Sequence, residues 1–391
     1  MTTNQFDLVI AGGGMAGSTL AHALAQALPS LSIAIIEQQA EPVSQVSFDS
    51  RSIALAAASC QLLAQWQLWP ELKAKACAIK QILVSDRGHA GKTSLSAAEY
   101  QLDALGYVLE VEHLGALLTQ KLAQKQQITH FAPNVISRLD AAADVQHIGL
   151  NDGTELSAKL LVIAEGGLSP SRSLAGFTVT ERQYGQHAII ANLALSEPHR
   201  QRAFERFTEH GPIALLPLTE QRYSLVYTAT DNDASTLMQL DDAAFLARVQ
   251  QAFGYRAGLF TGVGKRACYP LSLRLSGDIV RHRVALLGNS LHNLHPIAGQ
   301  GFNLALRDIA QLVAQLQAQP DAIGSYAMLR AYQQQRSQDI ATVSTATDAL
   351  VRLFSNRSRL VALARNAGLV AMSLCDELKR PLAEQAMGFR S

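Results

Sequence analysis

The sequence of 391 residues has no excess of charge of either sign, since its formal net charge is +1. A nearly neutral chain gives no electrostatic reason to expect nucleic acid or another polyanion as a partner. It also lacks any run of about 18 apolar residues, so no segment is expected to span a membrane. The apolar start at Phe6 lacks the basic segment and the small-residue cleavage site of a signal peptide. We therefore expect neither a secreted nor a membrane-spanning protein, while a peripheral membrane contact stays open.

Cysteine is scarce, and its spacing excludes the usual cysteine motifs. Cys60, Cys77, Cys268 and Cys375 are widely scattered and form no close pair of the kind found in metal or redox sites. We therefore predict no metal site and a reducing, cytoplasmic compartment. With 48% hydrophobic and 17% charged residues the chain is globular. Its length is too great for one compact core, so we expect two packed domains.

The N-terminal residues have the pattern of a βαβ unit that binds a dinucleotide. A β-rich run at 7–11 precedes Gly12-Gly-Gly-Met-Ala-Gly17, and apolar residues at helical spacing follow. Gly12 allows the tight turn, Gly14 lets the backbone approach a pyrophosphate, and Gly17 allows close packing of helix and strand. The helix N-terminus, beginning at Met15, then faces the phosphates.

A second strand pattern at 31–36 ends in Glu37, 20 residues beyond Gly17. A carboxylate at this place can accept hydrogen bonds from ribose hydroxyls, which fits FAD or NAD and disfavours a 2′-phosphate. Two further buried-strand patterns, at 159–164 and 283–288, lead into polar, glycine-containing loops. A nucleotide-binding sheet with strands near residues 10, 160 and 285 is discontinuous in sequence, so the insertions must form the substrate side.

These motifs together resemble the aromatic-ring flavoprotein monooxygenases with the para-hydroxybenzoate hydroxylase fold. The resemblance spans essentially the whole chain and rests on the N-terminal glycines, on Ala164-Glu165-Gly166 with Ser169 and Arg172, and on Gly288-Asn289 with Pro296 and Gly299-Gln-Gly301-Phe-Asn303. Two positions depart from the commonest family pattern, because Glu165 and Asn289 stand where the family usually has Asp. The family position of Asn289 bonds the ribityl chain, and an amide can still do this.

Within the family the chain is most similar to the ubiquinone-biosynthesis hydroxylases. The similarity is carried by the segments 48–55, 294–303, 307–308, 348–356 and 365–369. Gly-Asn in place of Gly-Asp is similar to the members that act on 2-octaprenyl-6-methoxyphenol. The resemblance implies FAD-dependent hydroxylation of a 2-polyprenyl-6-methoxyphenol in ubiquinone biosynthesis, with NAD(P)H and O2 consumed. Another ring position, a flavin oxidoreductase that uses no oxygen, and a non-catalytic flavin-binding subunit stay open as alternatives.

The resemblance also implies which residues contact the FAD. They are Gly12, Gly14, Met15, Gly17, Glu37, Arg51, Val135, Glu165, Gly288, Asn289, Pro296, Gly299, Gly301, Phe302 and Asn303. The backbone N–H groups of Phe302 and Asn303 would stabilise negative charge on the flavin. There is no second glycine fingerprint, so NAD(P)H is expected to bind only transiently. No catalytic residue is assigned; His295 could transfer a proton, or it could simply hydrogen-bond locally, like His292.

The fold class implied is α/β, with a discontinuous Rossmann-like FAD-binding domain at 1–80, 105–178 and 275–325. A mainly antiparallel substrate domain is expected at 81–104 and 179–274, and a helical region at 326–391. Strands are predicted at 186–195, 202–208, 213–218, 223–230 and 263–271, and a helix at 241–253. The basic and apolar residues of the C-terminal helices indicate either packing on the protein body or contact with a membrane or partner.

Overall fold

The computed structural model describes residues 4–40, 50–89, 91–294 and 299–354, together with individual positions between 366 and 389. The strands of this part are, in chain order, β1 (Asn4–Ala11), β2 (Ile33–Ile36), β3 (Ser52–Ala56), β4 (Cys77–Ile79), β5 (Gln81–Asp86), β6 (Lys92–Ser96), β7 (Gly106–Glu110), β8 (Ile128–Phe131), β9 (Ile136–Ala141), β10 (Gln146–Leu150), β11 (Glu155–Ile163), β12 (Val179–Leu195), β13 (Arg202–Thr208), β14 (Gly211–Leu218), β15 (Arg222–Thr230), β16 (Phe260–Val263), β17 (Ala267–Ser276), β18 (Val280–Arg281), β19 (Val284–Leu286) and β20 (His292–Asn293). The helices are α1 (Met15–Ala27), α2 (Ala57–Gln65), α3 (Trp69–Lys73), α4 (Val111–Ala123), α5 (Pro170–Leu174), α6 (Asp231–Gln239), α7 (Asp242–Phe253), α8 (Gln300–Ala318) and α9 (Tyr326–Phe354).

A parallel sheet forms the first layer of the fold. Its central strands lie in the order β19-β11-β1-β2-β8, all parallel to one another. The three strands predicted near residues 10, 160 and 285 are therefore neighbours, and the expected discontinuous sheet is confirmed. Residues Leu8, Val9 and Ile10 of β1 are fully buried. Their continuous apolar run is typical of a parallel strand covered on both faces.

A second, larger sheet is mainly antiparallel and has the order β20-β17-β12-β15-β14-β13-β5-β6, with β16 also paired to β12. The strand predicted at 202–208 has those bounds in the structure. The strand predicted from 186 begins at Val179 instead, because its first residues pair with β17 across a register shift. The single strand predicted at 263–271 is interrupted at 264–266, and its two parts belong to β16 and β17, which both pair antiparallel with β12.

The helices on the large sheet were only partly predicted. Helix α7 begins after Asp241, whose carboxylate accepts a hydrogen bond from the N–H of Ala244 at 2.8 Å, as expected of a cap. Helix α6 was not predicted, although Thr230 caps it in the same way through the N–H of Asp233. Both helices pack on one face of the sheet, where Phe245 and Phe253 join a fully buried apolar core.

A small sheet with the order β3-β7-β4 lies between the two larger ones. Its strand β7 ends at Glu110, whose carboxylate pairs with the Arg222 guanidinium of β15 at 3.0 Å. Both side chains are buried, so this ion pair fixes the small sheet against the large one. The amide of Asn192 on β12 also donates to the carbonyl of Ser50, just before β3, at 2.8 Å.

Helix α9 returns to the parallel sheet, as predicted for a helix beginning at Tyr326. Its residues Met328 and Tyr332 are fully buried, and the Tyr332 hydroxyl donates to the carbonyl of Leu286 in β19 at 3.1 Å. In the part of the chain that the structure describes, no helix combines the length and the apolar character needed to cross a membrane. The four cysteines are free.

Candidate functional site

The first glycine loop, 12–17, is shaped by close contacts between backbone atoms. Gly12 has a φ of +104°, and a Cβ there would lie 2.9 Å from the carbonyl oxygen of Ala164. A Cβ on Gly17 would lie 1.9 Å from the carbonyl oxygen of Gly12. Both positions therefore require glycine for steric reasons within the protein itself. The loop is thus held tightly between β1, α1 and the end of β11.

Gly14 has a different environment from the other two glycines. It precedes the first residue of α1, Met15, and no atom lies within 4 Å of the place where its Cβ would be. No side chain caps α1, and its first turn contains no acidic residue. The unsatisfied N–H groups and the positive end of this helix consequently face open space, which fits a bound phosphate group.

Glu37 follows β2 and turns back to the glycine loop. Its Oε2 accepts a hydrogen bond from the N–H of Gly13 at 2.7 Å, and its Oε1 accepts one from the N–H of Gln39 at 2.9 Å. A carboxylate has about four lone-pair sites, so capacity remains for hydroxyl donors. Glu37 therefore lies beside the open helix terminus, where the sequence places the ribose.

The second glycine loop, 288–303, approaches the first at Gly288. This glycine has a φ of +62°, and its Cβ position lies 3.4 Å from the Cβ atoms of Ala16 in α1 and Ala305 in α8. The following Asn289 is exposed, and its Oδ1 lies 4.0 Å from the Cβ position of Gly301. The segment that includes Pro296 and His295 lies outside the described residues.

The start of α8 resembles the start of α1. Gly299 has a φ of +60°, no side chain caps the helix, and its first turn is free of acidic residues. By contrast, α5, α6 and α7 are capped by Ser169, Thr230 and Asp241. The two helices that begin at the glycine loops therefore both present open positive termini to one region. Phe302 is half-buried in this first turn.

Asn303 joins the start of α8 to strand β3. Its Oδ1 accepts from the N–H of Ala56, and its Nδ2 donates to the carbonyls of Ala54 and Gly299, each at 2.8 Å. Three of the four hydrogen bonds that this buried amide can make are thus used for positioning. The side chain of the predicted cofactor residue Asn303 therefore holds the start of α8 against β3, and its contact with the cofactor stays a prediction.

A buried ionic network supports the second loop from behind. The Asp308 carboxylate accepts from the N–H of Gly288 at 3.0 Å, from His292 Nε2 at 2.7 Å and from Arg336 Nε at 2.7 Å. Arg336 also pairs with Asp339, which in turn binds Arg307 at 2.6 Å. Burial acts to raise the pKa of Asp308, but His292 and Arg336 outweigh it, and the pKa is lowered. The loop conformation therefore depends on an ionised Asp308.

The sequence contains a signal for this network. Asp308 stands four residues after Leu304 and four before Leu312, both fully buried. Arg336 likewise follows Tyr332 by four residues. A charged residue on the apolar face of a helix is buried, and a buried charge requires a partner.

Glu165 lies next to the first loop, but its carboxylate is directed to the start of α5. It accepts hydrogen bonds from the hydroxyls of Ser169 at 2.5 Å and Ser171 at 2.6 Å. The nearby Arg172 donates to the carbonyls of Ser290 at 2.7 Å and Gly167 at 2.9 Å. These residues tie the end of β11 to the second glycine loop, and a role of Glu165 in cofactor contact stays a prediction.

Arg51 and Val135 lie at the edges of this region. Arg51 is exposed, and its guanidinium has no hydrogen bond or ion pair within the described residues. Val135 follows Asn134, whose N–H donates to the carbonyl of Glu37 at 2.8 Å. The N–H of Val135 is already donated to the side chain of Asn151 at 3.0 Å. The Val135 carbonyl in turn accepts from the N–H of Asn151 at 3.1 Å. The exposed side chain of Val135 is therefore what it has left for a ligand.

The geometry fits a dinucleotide cofactor. The uncapped N-termini of α1 and α8 come together where Gly288 meets Ala16. The carboxylate of Glu37 lies beside the first terminus, and the exposed amide of Asn289 lies beside the second. The open positions at Gly14 and Gly301 allow a ligand to approach the backbone closely.

Comparisons with known proteins agree with this geometry. A family model described as an FAD binding domain matches residues 5–347. The ubiquinone hydroxylase UbiL of Rhodospirillum rubrum is 36% identical over 386 residues, which cover 98% of this chain and 89% of the relative. The 3-demethoxyubiquinol 3-hydroxylase of Escherichia coli is 32% identical, with 99% and 100% covered.

Among solved structures, p-nitrophenol 4-monooxygenase from Pseudomonas putida superposes with a TM-score of 0.80 over 100% of both chains. Its sequence identity is 16%, so this likeness concerns the fold alone. The comparison confirms the predicted architecture of a nucleotide-binding layer joined to a mainly antiparallel sheet.

Proposed function

We propose that this chain, which belongs to the family of FAD-binding flavin monooxygenases and is an FAD-dependent hydroxylase, acts on 2-polyprenyl-6-methoxyphenol in ubiquinone biosynthesis. The observation that carries the proposal is the similarity, over nearly the whole length, to relatives named as a ubiquinone hydroxylase and a 3-demethoxyubiquinol 3-hydroxylase. The half-buried apolar face of the large sheet supports it, because a flat, apolar ring needs such a surface.

We propose that the two glycine loops hold the FAD between them. Gly12, Gly14, Met15 and Gly17 would place the pyrophosphate at the start of α1, and Glu37 would accept hydrogen bonds from the ribose. When bound and reduced by NAD(P)H, FAD supplies the activation of O2 from which an oxygen atom reaches the ring.

The second loop would hold the flavin end of the cofactor. The exposed amide of Asn289 is available to the ribityl hydroxyls, and the N–H groups of Phe302 and Asn303 would stabilise negative charge at the open terminus of α8. Glycine at 288, 299 and 301 keeps side chains out of this space. Arg51, Val135, Glu165 and Pro296 complete the proposed contacts.

The proposed domains correspond to the two large sheets. Residues 1–80, 105–178 and 275–325 would form the FAD-binding domain, and residues 81–104 and 179–274 the substrate domain. β5 and β6 support this, because they join the large sheet through β13. The short pairing between β20 and β17 would link the second glycine loop directly to the sheet of the substrate domain.

A second candidate substrate is 3-demethoxyubiquinol, hydroxylated at another ring position. The 32% identity to a relative of that name, over its full length, favours this alternative. Deletion of the gene, followed by identification of the quinone intermediate that accumulates, distinguishes the two. We expect a 2-polyprenyl-6-methoxyphenol, whereas accumulation of a demethoxylated quinol would establish the alternative and refute our substrate.

A polyprenyl substrate resides in a lipid bilayer, so we propose that the C-terminal helical region makes peripheral contact with a membrane or a biosynthetic assembly. The exposed apolar side chains Val370 and Phe389 support this. The basic residues Arg357, Arg359 and Arg365, on which the prediction depended, lie outside the described residues. Co-sedimentation with vesicles containing anionic lipid should retain the full chain; recovery in the supernatant at low salt would contradict the membrane contact.

A further inference from the structure

The large sheet has two faces with different environments. On one face, Ile189 and Leu215 are fully buried beneath α6 and α7. Successive side chains of a strand point to opposite faces, so Ile190 and Ala214 belong to the other face. These two are only half-buried. The second face therefore offers apolar surface that the described residues do not fully cover.

Glu205 lies in one cross-strand row of this second face. The register places Ile190 beside Val226, Val226 beside Ala214, and Glu205 between Ala214 and Val84. The other four members of the row are apolar and half-buried. Strand spacing puts Glu205 about 14 Å across the sheet from β12. The row is therefore an apolar surface with one carboxylate in it.

This face is the one turned to the second glycine loop. Asn192 is two residues from Ile190 on the same face of β12, and its amide donates to the carbonyl of Ser50 at 2.8 Å. Ser50 lies two residues before β3, the strand that Asn303 joins to the start of α8. A ring lying on this face would consequently lie between Glu205 and the proposed flavin end of the site.

Among the described residues, no group compensates the charge of the Glu205 carboxylate. Its Oε1 is shielded from solvent and has no hydrogen-bond partner in the part of the chain that the structure describes. Burial raises the pKa of this carboxyl to about 7, and no neighbouring charge contributes. A carboxylate in apolar surroundings is costly unless a donor reaches it. Such an isolated, perturbed acid is characteristic of groups that bind or deprotonate a ligand.

We propose that Glu205 accepts the hydrogen bond, and then the proton, of the substrate's phenolic hydroxyl. This inference rests on the proposed function, because it requires a phenol as the substrate. The O–H bond of the phenol breaks, its electron pair stays on the oxygen, and the proton goes to a Glu205 carboxylate oxygen. The resulting phenolate is more electron-rich at its ring carbons, so the ring attacks an electrophilic oxygen more readily.

Proton balance is restored after the new C–O bond forms. The ring carbon that gained oxygen loses its hydrogen as a proton to water, and aromaticity returns. Glu205 gives its proton back to the phenolate oxygen, so the carboxylate is regenerated for the next turnover. The oxidant and reductant are those of the hydroxylase reaction itself.

Other titratable groups around this face are already paired with a counter-charge. They are Asp86 with His89 at 3.1 Å, Glu110 with Arg222 at 3.0 Å, Asp348 of α9 with Arg182 at 3.0 Å, and Lys379 with Glu99 at 3.5 Å. Glu205 is therefore the group on this face whose titration near pH 7 should control phenol activation.

The test compares Glu205→Gln with wild type on two probes, 2-geranyl-6-methoxyphenol and its methyl ether, which has no hydroxyl proton. The matched control is Glu209→Gln, the same substitution at an exposed site just beyond the strand. All variants are first checked for bound FAD. We expect Glu205→Gln to lose about 100-fold in kcat for the phenol, the size typical of general base catalysis, and Glu209→Gln to match wild type.

The pH profile gives a readout that a structural role would not change. Wild-type kcat should rise as the pH passes through about 7, and this ionisation should be absent in Glu205→Gln. Glu205→Asp should restore part of the rate and the ionisation. Wild type should bind the phenol more tightly than the methyl ether, and Glu205→Gln should lose that preference.

The experiment distinguishes failure of the proposed function from failure of the role given to Glu205. If wild type neither binds nor hydroxylates the phenol, the proposed function is refuted and the inference with it. If wild type hydroxylates the phenol while Glu205→Gln keeps both the rate and the ionisation near neutrality, only the role of Glu205 is refuted.

Discussion

The two glycine loops meet at Ala16 and Gly288, and each begins a helix without a side-chain cap, yet different forces hold their conformations. In the loop 12–17, a side chain at Gly12 would collide with the backbone of Ala164, and one at Gly17 with the backbone of Gly12. In the loop 288–303, the decisive contact comes from the Asp308 carboxylate, which is itself held by Arg336. The first loop is shaped by steric exclusion, and the second by a buried charge network. Substitutions in the two loops should therefore differ in their effects on stability and on FAD binding.

Substitution in the first loop should have the largest effect. Gly17→Ala places a Cβ 1.9 Å from the Gly12 carbonyl oxygen, so β1 and α1 must separate. We expect a loss of about 4 kcal/mol in the free energy of unfolding and loss of bound FAD, because tight packing allows little relaxation. Denaturant unfolding and the flavin absorbance measure this.

The matched control is Gly115→Ala in the interior of α4, where the Cβ meets no atom within 4 Å. It should be neutral or stabilise by up to about 1 kcal/mol, since alanine favours the helix. If Gly17→Ala and Gly115→Ala changed the free energy of unfolding equally, steric exclusion would not determine the conformation of the first loop.

Breaking the charge network should have the next largest effect. Asp308→Asn leaves the Arg336 charge poorly compensated in a buried place, and we expect a loss of about 3 kcal/mol. FAD affinity should fall as well, because the Gly288 N–H loses its anionic acceptor. Asp278→Asn removes an exposed ion pair with Arg281 and should change stability by less than about 1 kcal/mol. A similar small change in Asp308→Asn would contradict the role given to the network.

Acidity should affect the second loop selectively. The folded pKa of Asp308 lies below its ordinary value of 3.8, so the ionised form stabilises the fold at any pH above that value. This contribution is lost as the pH falls below 3.8 and passes through the folded pKa. The difference in stability between wild type and Asp308→Asn should therefore be constant near neutrality and shrink in acid. A difference that already declines near neutral pH would contradict an ionised Asp308 with a lowered pKa.

Gly14→Ala should affect stability least, and it separates binding from folding. Gly14 has ordinary backbone angles and open space around its Cβ position, so we expect a change of less than about 1 kcal/mol. FAD affinity should nevertheless fall, because the Cβ occupies the approach to the start of α1. Unchanged flavin affinity, measured by titration of the apoprotein, would refute pyrophosphate binding at this position.

The contrast between the loops also explains what could be predicted from the sequence. The first loop is a local pattern, in which strand, glycines, helix and Glu37 follow each other within about 30 residues, as in any such βαβ unit. The second loop was recognised by its glycines, but its support was not, because Asp308, Arg336 and Asp339 come from two later helices. Pairing over such separations is not visible in local spacing.

The same limit applied to the large sheet and to Glu165. The strand at 202–208 has its predicted bounds, whereas the strand predicted at 263–271 is interrupted at 264–266, between β16 and β17, which both pair with β12. Glu165 matched a family motif, but its bonds to Ser169 and Ser171 depend on the start of α5. Glu205 gave no sequence signal, since its importance arises from the sheet face on which it lies.

The most direct test of the account is the fate of the oxygen atom. The purified holoenzyme, given NAD(P)H, 2-geranyl-6-methoxyphenol and isotopically labelled O2, should form a hydroxylated ring that contains one labelled oxygen atom. A hydroxylated product without label would contradict the assignment. So would oxidation of NAD(P)H, in the presence of this phenol, that converts the labelled O2 only to hydrogen peroxide.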